Sequence, residues 1–136
     1  FFFQEEDGIR DFCLSRGLGD VYKRQLKKGI KISVIDARFA KPLDENLLWQ
    51  IATDHEVVIT IEEGSIGGFG SHVGQFLNEK NLLDNKLKFR SMFLPDIFIN
   101  HDKPDLMYKF AGLDSSNIEI KILDTLNSKV IVKKSN

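Results

Sequence analysis

Two adjacent carboxylates, Glu62 and Glu63, end an apolar run and lead into four glycines, Gly64, Gly67, Gly68 and Gly70. Carboxylates at the carboxyl end of a strand stand where sites form in α/β sheets. A glycine turn that opens a helix can cradle phosphate on its backbone N–H groups. The nucleotide fingerprints are not met, however. A Walker loop needs Gly-Lys-Ser/Thr, and no lysine lies in this turn. The dinucleotide pattern needs a third glycine where Val73 stands. We therefore read the glycines as serving a tight turn and close backbone approach. Glu62 and Glu63 read as a solvated or interface pair. If Gly68 or Gly70 takes a positive φ, alanine there is expected to cost about 1–2 kcal/mol through strain on Cβ.

The remaining chemistry-bearing residues are scattered. His55, His72 and His101 fall in different segments, none at the i, i+4 spacing of a helical metal pair, and read as surface or capping histidines. Arg38 and Lys41 straddle a strand end with Asp36 close by, which favours a local ion pair that shapes the loop over phosphate binding. The single cysteine, Cys13, excludes an internal disulfide and a thiolate metal cluster. No Ser/His/Asp or Cys/His arrangement can be assembled. No residue of this chain is thus assigned a catalytic, cofactor-binding or metal-binding role.

Charge excludes further classes. With 19 basic and 20 acidic residues the formal net charge is −1, which gives no footprint for nucleic acid. No apolar run approaches the ~20 residues of a membrane span, and the triple-Phe start has neither the basic nor the apolar region of a signal peptide. With one cysteine and no targeting segment, the expected compartment is the cytoplasm.

The elements that must position these residues are legible from Leu26 onward. Leu26 to Ile30 looks like the last turn of a helix stopped by Gly29. Residues 32–37 form a short apolar strand, and 38–44 a loop. Asp44 can cap a helix over Glu45 to Thr53 with Leu47, Leu48 and Ile51 on its buried face and Trp49 beside it. Glu56 to Ile61 is β-branched and apolar, as in a strand buried on both faces. After the glycines, Val73, Phe76 and Leu77 have helical spacing, with Ser71 as N-cap. Leu82, Leu83 and Leu87 anchor a polar loop. Lys86 to Leu94 alternates polar and apolar, as in a half-exposed strand. Ile97 to His101 is a short apolar connector. Pro104 opens a helix carrying Leu106, Met107 and Phe110, and Gly112 stops it. Asp114 or Ser115 caps a last helix with Ile118, Ile122, Leu123 and Leu126. The basic tail from Lys129 to Lys134 reads as a frayed end. Strands alternating with helices at this spacing imply an α/β domain with a mostly parallel sheet in three layers. At 136 residues this is one domain.

Residues 1–25 break this pattern. Neither a period of 2 nor one of 3.6 persists there. The runs Glu6 to Asp11 and Ser15 to Gln25 resemble the translated adaptor read-through found at the ends of assembled fragments. The segment is read as non-native and expected to be disordered, which leaves 26–136 as the domain.

Three stretches carry a family resemblance. Val34 to Asp44, Glu62-Glu63-Gly64 with Gly67 to Ser71, and Leu94-Pro95-Asp96-Ile97-Phe98-Ile99-Asn100-His101 resemble the C-terminal, transketolase-type domain of 1-deoxy-D-xylulose-5-phosphate synthases. The first two stretches are similar to those of 2-oxoacid dehydrogenase β-subunits, and the third favours the synthase. Asp102 departs from the glycine that often follows the histidine. The resemblance implies a transketolase C-terminal-like fold lacking its first strand. It implies a parent enzyme that condenses pyruvate with glyceraldehyde 3-phosphate for isoprenoid, thiamine and pyridoxal biosynthesis. It implies thiamine diphosphate and Mg²⁺ held by two preceding domains of a homodimer, with this domain supporting the dimer. The candidate interface and structural residues are Gly67, Gly68, Phe69, Gly70, Phe98, His101, Arg38, Glu62 and Glu63. The alternatives are the β-subunit domain and a non-enzymatic module that binds an anion at the glycine turn.

Overall fold

The computed structural model describes residues 30–127. The expectations for residues 1–25, for the helix end at Leu26 to Gly29 and for the basic tail lie outside the described residues. Helix α1 spans Glu45–Asp54 and strand β1 Val57–Ile61. Helix α2 spans Phe69–Glu79 and strand β2 Lys88–Met92. Helices α3, Pro104–Ala111, and α4, Ser115–Asn127, complete the order.

The two strands run parallel, with Val57 opposite Lys88 and Ile61 opposite Met92. A parallel pair needs a crossover, and α2 supplies it. Side chains alternate across the strand, so β1 serves two cores. Val58 packs with Leu48, Ile51, Val73, Phe76 and Leu77 under α1 and α2. Ile59 packs with Met92, Leu113 and Ile118 under α4. The result is helix, sheet and helix in three layers, as expected for an α/β domain.

Local chemistry explains the elements. Asp44 caps α1 as expected, its carboxylate accepting the Leu47 N–H at 3.0 Å. Gly112 ends α3 in the left-handed region, at φ 74°. Lys88 donates through Nζ to the Leu126 carbonyl at 2.8 Å and so ties the last turn of α4 to the start of β2. Residues 32–37 differ from expectation. Only Ser33 makes a bridge there, and the rest of the segment is irregular. Its Ile35 still packs against the first core, so the apolar pattern marks burial rather than a strand.

Candidate functional site

The two carboxylates at the end of β1 are turned to different tasks. Glu62 continues the ladder, its N–H donating to the Met92 carbonyl at 2.9 Å. Its side chain folds back over the glycine turn onto the first turn of α2. There Oε2 accepts the Phe69 N–H at 2.9 Å and Oε1 accepts the Gly70 N–H at 2.8 Å. A helix start has N–H groups without an intrahelical partner and carries partial positive charge, so a carboxylate is favoured there twice over. Ser71, expected to cap this helix, lies inside it. Its hydroxyl accepts the Gly67 N–H at 3.1 Å instead. The helix starts earlier than Ser71 because Glu62 supplies the cap.

This carboxylate explains two of the glycines. A Cβ on Gly68 would lie 2.2 Å from Glu62 Oε2, and one on Gly64 would lie 2.7 Å from it. Gly70 serves a different contact. Its Cβ would meet Thr60 Oγ1 and Ser91 Cβ, each at 2.7 Å. Thr60 and Ser91 are register partners on β1 and β2. Gly70 therefore lets α2 settle onto both strands. The conditional expectation of positive φ at Gly68 or Gly70 is corrected here. Gly68 has φ −79° and Gly70 lies within the helix. Gly67 is the glycine of this turn with φ in the left-handed range, at 96°.

Glu63 is exposed and accepts a hydrogen bond from the Tyr108 hydroxyl on α3. Arg38 takes φ 50°, and its backbone N–H donates to Asp36 Oδ1 at 3.0 Å. Asp36 thus shapes the loop through the main chain. Arg38 and Phe69 line a groove of about 260 Å³ together with Ile35, Leu43, Leu47 and Leu48. Phe69 is half-buried against the first core. Phe98 is 88% exposed, and His101 is exposed on the same loop after β2.

The structure therefore joins Glu62, Gly68, Phe69 and Gly70 in one unit, with Gly67 at its bend. It sets Arg38 and Phe69 in the lining of one groove, ties Glu63 to α3, and leaves Phe98 and His101 on an exposed loop. Sequence reasoning missed Thr60, Ser91 and Tyr108. Cross-strand register selects the first two and tertiary packing the third, and neither leaves a local mark in the sequence.

Chemically, the unit neutralises a helix terminus. The Phe69 and Gly70 N–H groups are already taken by Glu62, so an anion would have to displace that carboxylate to use them. Among the described residues no group of three or more His, Cys, Asp or Glu is placed to hold a metal ion. His55 serves the fold, with Nε2 2.8 Å from Ser33 Oγ and Nδ1 3.0 Å from the Ile51 carbonyl. No described helix is long and apolar enough to cross a membrane.

The family model of the transketolase C-terminal domain matches residues 20–118. The match includes the glycine turn, both strands and α3, and begins inside the segment read as foreign. Its extent shows the family, and the chain belongs to the transketolase C-terminal domain family.

Proposed function

We propose that this chain is the C-terminal domain of a 1-deoxy-D-xylulose-5-phosphate synthase, a transferase that joins pyruvate to glyceraldehyde 3-phosphate with loss of carbon dioxide. The observation that carries the reading is the stretch Leu94 to His101, the synthase-like text that forms the exposed loop leaving β2. Family membership supports it. Thiamine diphosphate with Mg²⁺ supplies the carbanion chemistry when bound, in two preceding domains of the parent. This domain contributes packing and a docking surface within a cytoplasmic homodimer. The Phe98 to His101 loop and the Gly67 bend face the parent's other parts, while Phe69 works from beneath by holding the turn against the core.

The test is an independent reading of the gene that encodes this domain. Its sequence upstream of Leu26 is expected to carry the Gly-Asp-Gly…Asn thiamine-diphosphate motif in the same reading frame. The full-length product is expected to form 1-deoxy-D-xylulose 5-phosphate from pyruvate and glyceraldehyde 3-phosphate. An upstream frame without that motif, with activity only beside a second subunit, would make the chain a 2-oxoacid dehydrogenase β-subunit domain.

A further inference from the structure

Among the described helices, α3 alone has no buried residue. Leu106 and Phe110 are 50% and 63% exposed. Tyr108 and Ala111 of α3 are half-buried against the second core, and the Tyr108 hydroxyl donates to Glu63 at the end of β1. The helix stops at Gly112 in the left-handed region, and the next residue, Leu113, is buried in that core. The loop before α3 is exposed at Asp96, Ile97, Phe98 and Asn100 through Lys103. The neighbouring helix α4 is held quite differently. It buries Ile118 and Thr125 and is tied to β2 by Lys88.

We propose that α3 is a strap that lifts from the domain as a unit, with Gly112 as its hinge and the Tyr108–Glu63 hydrogen bond as its latch. Segments with few buried apolar contacts open at low free energy without the rest of the fold. Lifting α3 uncovers the side of the Ile59, Met92 and Ile118 cluster that Tyr108 and Ala111 cover. β1, β2 and α4 stay in place, because α4 packs directly on both strands. Leu113 remains buried as the fixed end of the strap.

Native-state hydrogen exchange on the full chain tests this. The α3 amides with intrahelical partners, Tyr108 to Ala111, are expected to exchange at least about a hundredfold faster than those of Val58 to Thr60, after correction for intrinsic rates. Tyr108→Phe removes the latch and is expected to raise α3 exchange about tenfold, with the β1 amides unchanged. Glu63→Gln keeps an acceptor and is expected to give a smaller rise, again confined to α3. Equal protection of α3 and β1 in the unaltered chain would overturn the strap. So would a Tyr108→Phe effect that is absent or spread equally over both elements. If Tyr108→Phe does not fold, the contrast within the unaltered chain decides.

Discussion

Gly70 lies against Thr60 so closely that a methyl group on Gly70 would stand 2.7 Å from the Thr60 hydroxyl oxygen. The contact joins the first turn of α2 to the carboxyl-terminal half of β1, where Thr60 is fully buried. The Ser91 Cβ closes the same space from β2.

Gly70→Ala sets two effects against each other. Alanine in a helix gains up to about 1 kcal/mol over glycine in backbone entropy. Overpacking a closed site costs about 1–3 kcal/mol. Ser91 Cβ is fixed by the strand backbone, and Thr60 is fully buried, which leaves little room for either to give. The cost wins, and chemical denaturation is expected to show a net loss of about 1–2 kcal/mol. An unchanged or raised midpoint would show that α2 can move off the sheet.

Thr60→Val is expected to stabilise the domain. The Thr60 hydroxyl is buried and has no hydrogen-bond partner among the described residues. A buried polar group left unpaired costs about 1–3 kcal/mol, and valine has nearly the same shape without it. A gain of about 1 kcal/mol is expected in the same assay. A loss would mean that the hydroxyl is satisfied in solution.

Glu62→Gln separates charge from shape at the α2 cap. The amide oxygen can keep one N–H, but the amide nitrogen cannot accept the other. The favourable meeting of carboxylate and helix terminus is lost as well. A loss of about 1–2 kcal/mol is expected, with faster hydrogen exchange at Phe69 and Gly70 than at β1. Unfolding curves matching those of the unaltered chain would remove Glu62 from its capping role.

Gly67→Ala probes backbone strain without a clash. At φ 96° a Cβ is disfavoured, yet no described residue lies within 4 Å of where it would sit. A cost of about 1–2 kcal/mol is expected from strain alone. Gly67→Asn is expected to recover part of it, since asparagine tolerates positive φ better. Equal losses for both variants would point away from backbone strain.

The legible part of this fold is what repeats locally. Leu48 and Ile51 on α1, and Val73, Phe76 and Leu77 on α2, have helical spacing and are buried as that spacing implies. Asp44 and Gly112 mark helix ends by their own chemistry. Long-range contacts were not legible. Ser71 has the right type for a cap, but Glu62 reaches α2 from the end of β1 and takes that role. The tight space around Gly70 depends on the register that sets Thr60 opposite Ser91. Leu106 and Phe110 repeat at helical spacing as well, yet face water. Spacing marks an apolar stripe but not whether anything covers it.

The purified chain, supplied with thiamine diphosphate, Mg²⁺, pyruvate and glyceraldehyde 3-phosphate, is expected to form no 1-deoxy-D-xylulose 5-phosphate. Thiamine chemistry needs the diphosphate held through a metal and donors aimed at developing charge. Among the described residues no carboxylate and histidine cluster is placed to hold that metal. The Phe69 and Gly70 amides at the start of α2 already hold the Glu62 carboxylate. Glu63 is engaged with Tyr108. Glu62→Ala frees the two amides but adds no metal ligand, so it is expected to stay as inactive as the unaltered chain. An assay that follows carbon dioxide release and product together decides the matter. Product above the enzyme-free blank would show that this domain holds catalytic groups, and the assignment of chemistry to the preceding domains would fall.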